Sequence, residues 1–211
     1  MKYNRFVLMG PIWPIGGIMT QKFTVKTIVQ TGLLLALEIV LQVIGNYVQI
    51  GPANINLSLV PVVLAGILCG PISAAVLGFF NGVLALLSPS TLAIFMPINP
   101  LATVLICLLK CTLAGIVSSL VYRLISNKNH MVGLILASIL VPVINTGIFC
   151  LGSILFFRPF LESGVGEAFP NIGAFLIFGV MGWNFIIELV STFILSPTLG
   201  TILLKREEKA Q

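Results

Sequence analysis

The sequence predicts an all-α membrane protein, a bundle of six transmembrane helices with both termini in the cytoplasm. Its 211 residues are 58% hydrophobic and 8% charged, and the mean hydropathy is +1.13. A soluble domain carries charge on about 25% of its residues, so this composition indicates a chain embedded in lipid. Apolar runs near the ~20 residues of a membrane helix recur along the chain, and basic residues cluster on one side of them.

Six apolar runs give the predicted spans in chain order. The second and third runs are short, and Gly70-Pro71 separates them as in a tight turn, because proline favours the first turn of a helix. Asn99 opens the fourth run, and His130 lies in the turn before the fifth. The runs cover residues 24–45, 56–69, 71–88, 98–125, 131–156 and 176–204.

Basic residues orient the predicted bundle. They precede span one, lie between spans four and five, and follow span six, so in a chain of six spans they share one side. The positive-inside rule makes that side cytoplasmic. This asymmetry, together with anionic lipid, accounts for the net charge of +5 and leaves little support for nucleic-acid binding. These residues are Lys22, Lys26, Arg123, Lys128, Lys205, Arg206 and Lys209.

The predicted domain organisation is simple. One transmembrane domain covers residues 24–204, after an N-terminal extension over 1–23 and before a cytoplasmic tail over 205–211. The first residues resemble the opening of a signal peptide, but Pro11 and Pro14 interrupt the helix that such a peptide needs, and Met19 is an alternative start.

The residue types of common catalytic and metal sites are missing from the sequence. There is no Asp, and the single His, His130, is placed in a cytoplasmic turn. This excludes Ser-His-Asp triads, Asp-rich magnesium sites and multi-histidine metal sites. The four cysteines lack CxxC spacing and are interpreted as small packing residues. Without a Walker A motif, any ATP on which the protein depends must bind another polypeptide, so we predict no enzyme, metal or cofactor in this chain.

Three ionisable residues, Glu38, Lys110 and Glu188, lie deep in the apolar runs. Inserting such a residue centrally costs roughly 2.5–3.5 kcal/mol, so it usually faces the protein interior and often marks a substrate or ion pathway. Lys110 lies ~18 Å below the outer surface at about 1.5 Å per residue, too deep to reach the interface easily. Two interpretations stay open. Lys110 forms an ion pair with a glutamate that fixes helix packing, or it pairs with a glutamate when the site is empty and binds a substrate anion in place of that glutamate when the site is occupied.

Asparagines on several predicted helices form a second pattern. Asn184 and Glu188 share one face of span six at i and i+4, with Trp183 beside them. A single intramembrane Asn often only bridges helices, worth about 0.6–2 kcal/mol, but several on different helices would line a common pocket. Loop 45–54 is predicted to be a lid over this pocket, with an ordinary outer turn as the alternative. The predicted substrate-binding residues are Tyr47, Asn56, Asn81, Asn99, Lys110, Asn145, Trp183, Asn184 and Glu188.

Small residues recur every four positions on three of the runs, a spacing that lets helices approach closely. Most are expected to serve contacts inside the bundle. Gly32 and Ala36, on the first span, are instead predicted to dock a separate subunit. The other stripes are Ala74, Gly78 and Gly82 on span three, and Cys111, Gly115 and Ser119 on span four.

Several short motifs occur together in this arrangement. They are Asn56 to Pro61 leading to Gly70-Pro71, Asn99-Pro100-Leu101 followed by Leu108-Leu109-Lys110 and Leu113-Ala114-Gly115, and Trp183-Asn184 with Glu188 and Ser196-Pro197. With six spans in a chain of this size, the motifs resemble the substrate-binding S components of energy-coupling factor (ECF) vitamin transporters over roughly residues 24–204. The pattern is most similar to the pantothenate-binding branch of that family.

The resemblance implies a subunit of the prokaryotic plasma membrane that captures a vitamin outside the cell. It then docks on a transmembrane scaffold subunit driven by two cytoplasmic ATPases, and members of the family topple in the membrane to release substrate inward. The family's docking motif, Ala-x-x-x-Ala, maps to residues 32–36, where Gly32 replaces the first Ala. Position 111 is Cys where related sequences often have Gly.

Other functions stay open beside this one. The chain is alternatively an S component for another vitamin such as riboflavin, a self-sufficient secondary transporter, or a structural membrane protein whose buried charges only pack helices. A secondary transporter is expected to show repeat symmetry or broken helices around an ion site, and neither is clear in the sequence.

Overall fold

The structure, a computed structural model, describes residues 24–47, 49–50, 53–54 and 57–209, and most of these residues are helical. A hairpin of two-residue strands, β1 (Gln49–Ile50) and β2 (Ala53–Asn54), follows the first helix. The helices are α1 (Val25–Tyr47), α2 (Leu59–Leu68), α3 (Pro71–Leu86), α4 (Pro100–Ser126), α5 (His130–Phe156), α6 (Arg158–Ser163), α7 (Ile172–Ala174) and α8 (Gly182–Lys209). Predicted spans one to five agree with α1 to α5 to within three residues at each end.

Four of the described helices are long and apolar enough to cross a membrane: Val25–Asn46, Pro100–Ser126, His130–Phe156 and Asn184–Arg206. The helices α2 and α3 are shorter, with 10 and 16 residues. The chain is therefore a helical, multi-pass membrane protein, and the predicted number of six crossings requires the shorter helices α2 and α3 to contribute.

The short helix α2 lies at the centre of the bundle. Every residue from Leu59 to Ile67 is buried, and α2 contacts α1, α3, α4, α5 and α8. The predicted turn after it is confirmed, because Gly70 adopts a φ of 104°, a backbone conformation that favours glycine, and Pro71 opens α3. After this short turn α3 packs against α2.

Helices α3 and α4 pack with their backbones in close contact. A Cβ atom on Gly82 would lie 2.6 Å from the carbonyl oxygen of Cys107, and one on Gly115 would lie 2.6 Å from that of Ala74. A Cβ atom on Gly78 would meet the carbonyl oxygen of Cys111. The small-residue stripes predicted for spans three and four therefore form an internal helix contact.

The sixth predicted span is not one regular helix. After α7 the chain continues as a π-helix over Phe175–Met181, and Gly182, the first residue of α8, has φ −3° and ψ −96°, which is outside helical geometry. The prediction of a single uninterrupted helix over 176–204 was wrong in this respect, because apolar composition does not distinguish a π-helix from an α-helix.

Candidate functional site

Buried polar side chains from five helices meet in the bundle interior. Gln42 on α1 accepts a hydrogen bond from Ser58 Oγ at 2.6 Å, and Asn81 Nδ2 on α3 donates to the same Oγ at 2.8 Å. All three side chains are buried. Because polar groups in lipid need internal partners, this chain of contacts links α1 and α3 through the residue that precedes α2.

Cys111 continues the network across α4. Its thiol lies 3.2 Å from Asn81 Oδ1 and 3.3 Å from Asn145 Oδ1, so one S–H proton is shared between the two amide oxygens. The thiol is 1% exposed. Cys111 was interpreted from the sequence as a packing residue, and in the structure it is also the donor that joins α3 to α5.

Asn145 in turn contacts Glu188 on α8, and Glu188 is close enough to Lys110 for their charges to interact. The structure brings Asn81, Lys110, Asn145 and Glu188, four of the predicted binding residues, from four helices to one polar region. Among the described residues, however, the single ion pair within 4 Å is Arg158 with Glu162 at the surface, so Lys110 and Glu188 do not form a direct salt bridge.

The ammonium group of Lys110 lies over an aromatic ring. Its Nζ is 5.2 Å from the centre of the Phe149 ring, within the range of a cation–π contact. It lines a cavity of about 20 Å³ together with Thr91, Phe95, Ile106, Thr103, Cys107, Phe149 and Phe157. A cavity of this size admits a water molecule, whereas pockets for small organic ligands measure about 300–1,000 Å³, so a vitamin would have to displace these side chains.

A wider concavity of about 560 Å³ is open to the surface between α6 and α7. It is lined by Glu162, Val165, Asn171, Ile172 and Gly173. None of the side chains in the buried network lines it. We therefore place the candidate site in the bundle interior around Lys110 and not at this surface.

The other predicted binding residues divide into two groups. Asn99 caps α4, with its Oδ1 accepting from Ala102 N at 3.1 Å, which is a role in helix initiation. Asn184 is half-buried on α8, one turn before Glu188. Asn56 lies outside the described residues, as do the side chains of Tyr47 and Trp183. Of the predicted lid over 45–54, the structure describes the backbone of residues 45–47, 49–50 and 53–54, which includes the β1–β2 hairpin.

Four residues of the site were missed as binding candidates: Gln42, Ser58, Cys111 and Phe149. Gln42 had a signal in the sequence, because it follows Glu38 at i+4 and therefore shares its helix face. Ser58 lies within the Asn56–Pro61 motif and Cys111 was noted as a departure from related sequences, but Phe149 had no signal. Nothing in an apolar run shows which neighbouring helix a small or aromatic side chain will meet.

The predicted docking stripe lies on the outside of the bundle. Gly32 and Ala36 are exposed, and a Cβ atom on Gly32 would meet nothing within 4 Å. This differs from Gly78, Gly82 and Gly115, whose faces are occupied by neighbouring helices. The two small residues on α1 are thus available to an external contact.

Comparison with known proteins identifies the family. The family of ECF transporter substrate-specific components matches residues 26–200. The chain belongs to this family. No curated protein and no solved structure shows significant similarity to the chain.

As an ECF substrate-specific component, the protein is a transporter subunit and not a member of an enzyme family. The family implies a small-molecule substrate and association with an ECF scaffold and ATPase modules. The match extends from α1 into α8 and includes every helix that contributes to the buried network.

Proposed function

We propose that this substrate-specific component captures pantothenate, or a closely similar vitamin with a carboxylate, for an ATP-driven importer in the prokaryotic plasma membrane. The observation that carries the proposal is Lys110, a half-buried ammonium in the bundle interior with no carboxylate within 4 Å among the described residues. A substrate carboxylate would supply the charge-assisted hydrogen bonds that such an ammonium needs.

The groups around Lys110 fit the rest of such a molecule. Asn81 and Asn145 present side-chain amides whose donors and acceptors match those of a substrate amide or hydroxyl. Glu188 stays near enough to hold Lys110 in place when the site is empty. The lysine would then exchange this weak partner for the substrate carboxylate on binding.

The proposed topology places all six predicted spans across the bilayer and both termini in the cytoplasm. Substrate enters from the outer side, under a lid formed by the segment between α1 and α2. Release inward depends on a transmembrane scaffold and two cytoplasmic ATPases, with Gly32 and Ala36 forming part of the contact with the scaffold. ATP is bound by those partners.

Riboflavin is the second candidate substrate, and an aromatic cluster beside Lys110 favours it. Phe95 packs edge to face against Phe149 and Phe157, with ring centres 5.5 and 5.1 Å apart, and these rings line the same cavity as Lys110. Aromatic faces of this kind suit a flat heterocycle. A secondary transporter or a structural protein is less well supported, because the chain matches a family of substrate-specific components.

Calorimetric titration of the purified protein with pantothenate, riboflavin and thiamine tests the proposal. We expect tight pantothenate binding, and we expect Lys110→Met to weaken it by roughly ten- to a hundredfold, the loss of one or two hydrogen bonds to a charged group. Lys128→Met, in the exposed turn before α5, is the matched control and should bind as the wild type does. Tight riboflavin binding would leave the family role intact and reject pantothenate, whereas tight thiamine binding alone would reject the anion site.

A further inference from the structure

Glu38 is a buried carboxylate whose hydrogen-bonding capacity is not met by the described part of the chain. The residue is 0% exposed, and within the part of the chain that the structure describes neither Oε1 nor Oε2 has a hydrogen-bond partner within 3.5 Å. Asn81 lies beside it, but Asn81 Nδ2 already donates to Ser58 Oγ, which leaves at most one amide hydrogen. A carboxyl group offers acceptor positions on both oxygens, and a buried polar group without hydrogen-bond partners is destabilising.

The most buried positions on α1 include two polar side chains. Within residues 24–46, the buried positions are Glu38, Gln42 and Gly45, at a spacing that places them on one face. The apolar residues beside them, Leu37, Ile39 and Val40, are exposed. Exposed apolar side chains are expected on a helix that contacts lipid, and Leu34 and Leu35 of the same helix pack against a buried apolar cluster. Glu38 and Gln42 therefore form the polar part of the inner face of α1.

The acidic residue is continuous with the site around Lys110. Asn81 lies next to Glu38 and is joined through Cys111 to Asn145, which contacts Glu188. The network therefore has an ammonium at one end and a carboxylate with spare acceptor positions at the other. Among the described residues no basic side chain pairs with Glu38, so its missing partners are hydrogen-bond donors.

We propose that Glu38 forms a second subsite of the substrate pocket, which accepts hydrogen bonds from hydroxyl groups of the captured molecule. This rests on the proposed function, since it takes Lys110 as the site of the substrate carboxylate. The preferred ligand then carries an acid at one end and hydroxyl groups at the other. The helix α1 would then carry both a substrate-binding residue and Gly32 and Ala36, the residues proposed to contact the scaffold.

A comparison of two ligands isolates the subsite. Pantothenate carries two hydroxyl groups, and N-(3,3-dimethylbutanoyl)-β-alanine keeps its carboxylate and amide but has neither. By calorimetry we expect the wild type to prefer pantothenate by roughly ten- to a hundredfold, as hydrogen bonds to a charged acceptor would give. Glu38→Leu should reduce that preference below about threefold and leave the hydroxyl-free analogue almost unaffected, with Glu38→Gln intermediate. Lys110→Met should weaken both ligands alike.

The outcomes separate the two proposals. If the wild type binds pantothenate and both Glu38 variants keep the full preference, or lose the same factor for both ligands, Glu38 is a packing residue and this inference fails alone. If riboflavin binds instead, this inference fails together with the proposed function, because riboflavin has no carboxylate to place on Lys110. If thiamine binds tightly and Glu38→Gln abolishes that binding, Glu38 binds a cationic ligand and not hydroxyl groups. If no vitamin binds, both proposals are overturned. Size-exclusion profiles and melting temperatures identify any variant that does not fold, and Glu38→Gln then carries the comparison.

Discussion

Asn81 is the side chain that holds the polar interior together. It donates to Ser58, accepts from the thiol of Cys111 and lies beside Glu38, so it connects α1, α3 and α4. Its amide was identified from the sequence because an Asn in an apolar run needs a partner. The sequence did not show that Cys111 is one of its partners, because a cysteine thiol can serve either as a small hydrophobic group or as a weak hydrogen-bond donor.

The thiol of Cys111 is expected to stabilise the fold through its two amide oxygens. Cys111→Ala leaves both oxygens without this donor, so the free energy of unfolding should fall by about 1–2 kcal/mol. Cys111→Ser keeps a donor and should lose less. Cys107→Ala is the matched control, because Cys107 is also buried on α4 but its thiol makes no hydrogen bond within the described chain. Equal losses in thermal melting for the two Ala variants would show that the hydrogen bonds contribute nothing.

At the scale of elements, the predicted helices are accurate where the sequence contains an explicit signal. Gly70-Pro71 set the boundary between α2 and α3, and Asn99 set the start of α4. The π-helix over Phe175–Met181 carries no such signal, because its apolar residues suit either hydrogen-bonding pattern. The break at Gly182 is adjacent to Trp183 and Asn184, so the irregular segment enters α8 next to predicted site residues.

An added methyl group should destabilise the contact between α3 and α4, whereas the exposed face of α1 should accept one without loss of stability. Gly82→Ala places a Cβ atom 2.6 Å from a backbone oxygen, and the helices must separate, at a cost of about 1–3 kcal/mol. That cost corresponds to a melting temperature a few degrees lower. Gly32→Ala adds the same atom on an exposed helix face and should melt at the wild-type temperature. A similar loss in both variants would mean that close packing is not what selects Gly82.

At the scale of the whole molecule, local features were predictable from the sequence, and features that depend on which helices are neighbours were not. Hydropathy and basic residues predicted the helices and their order, because each depends on local composition. The convergence of Glu38 and Asn81 depends on which helices are neighbours, and the central position of the short α2 decides that. The exposure of Gly32 also follows from the assembled bundle, although its small-residue spacing was visible beforehand.

Substrate binding and uptake are expected to be separable, because the site and the proposed docking stripe lie on different faces of α1. Gly32→Leu or Ala36→Leu adds bulk on the exposed face and leaves Glu38 and Gln42 in place on the buried one. Helix association in a membrane depends on close packing, so this bulk should prevent contact with the scaffold subunit. We expect ligand affinity within about threefold of the wild type and at least a tenfold loss of uptake when the scaffold and ATPases are present.

Gly147→Leu provides the matched control, because a Cβ atom on this residue of α5 also meets nothing within 4 Å. It adds the same side chain to another open helix face and should preserve both binding and uptake. If Gly147→Leu blocks uptake as strongly as Gly32→Leu, added bulk anywhere on the bundle is enough and the stripe has no special role. If the α1 variants lose binding and uptake together, the stripe belongs to the folded site itself, and the scaffold must contact a different surface of the protein.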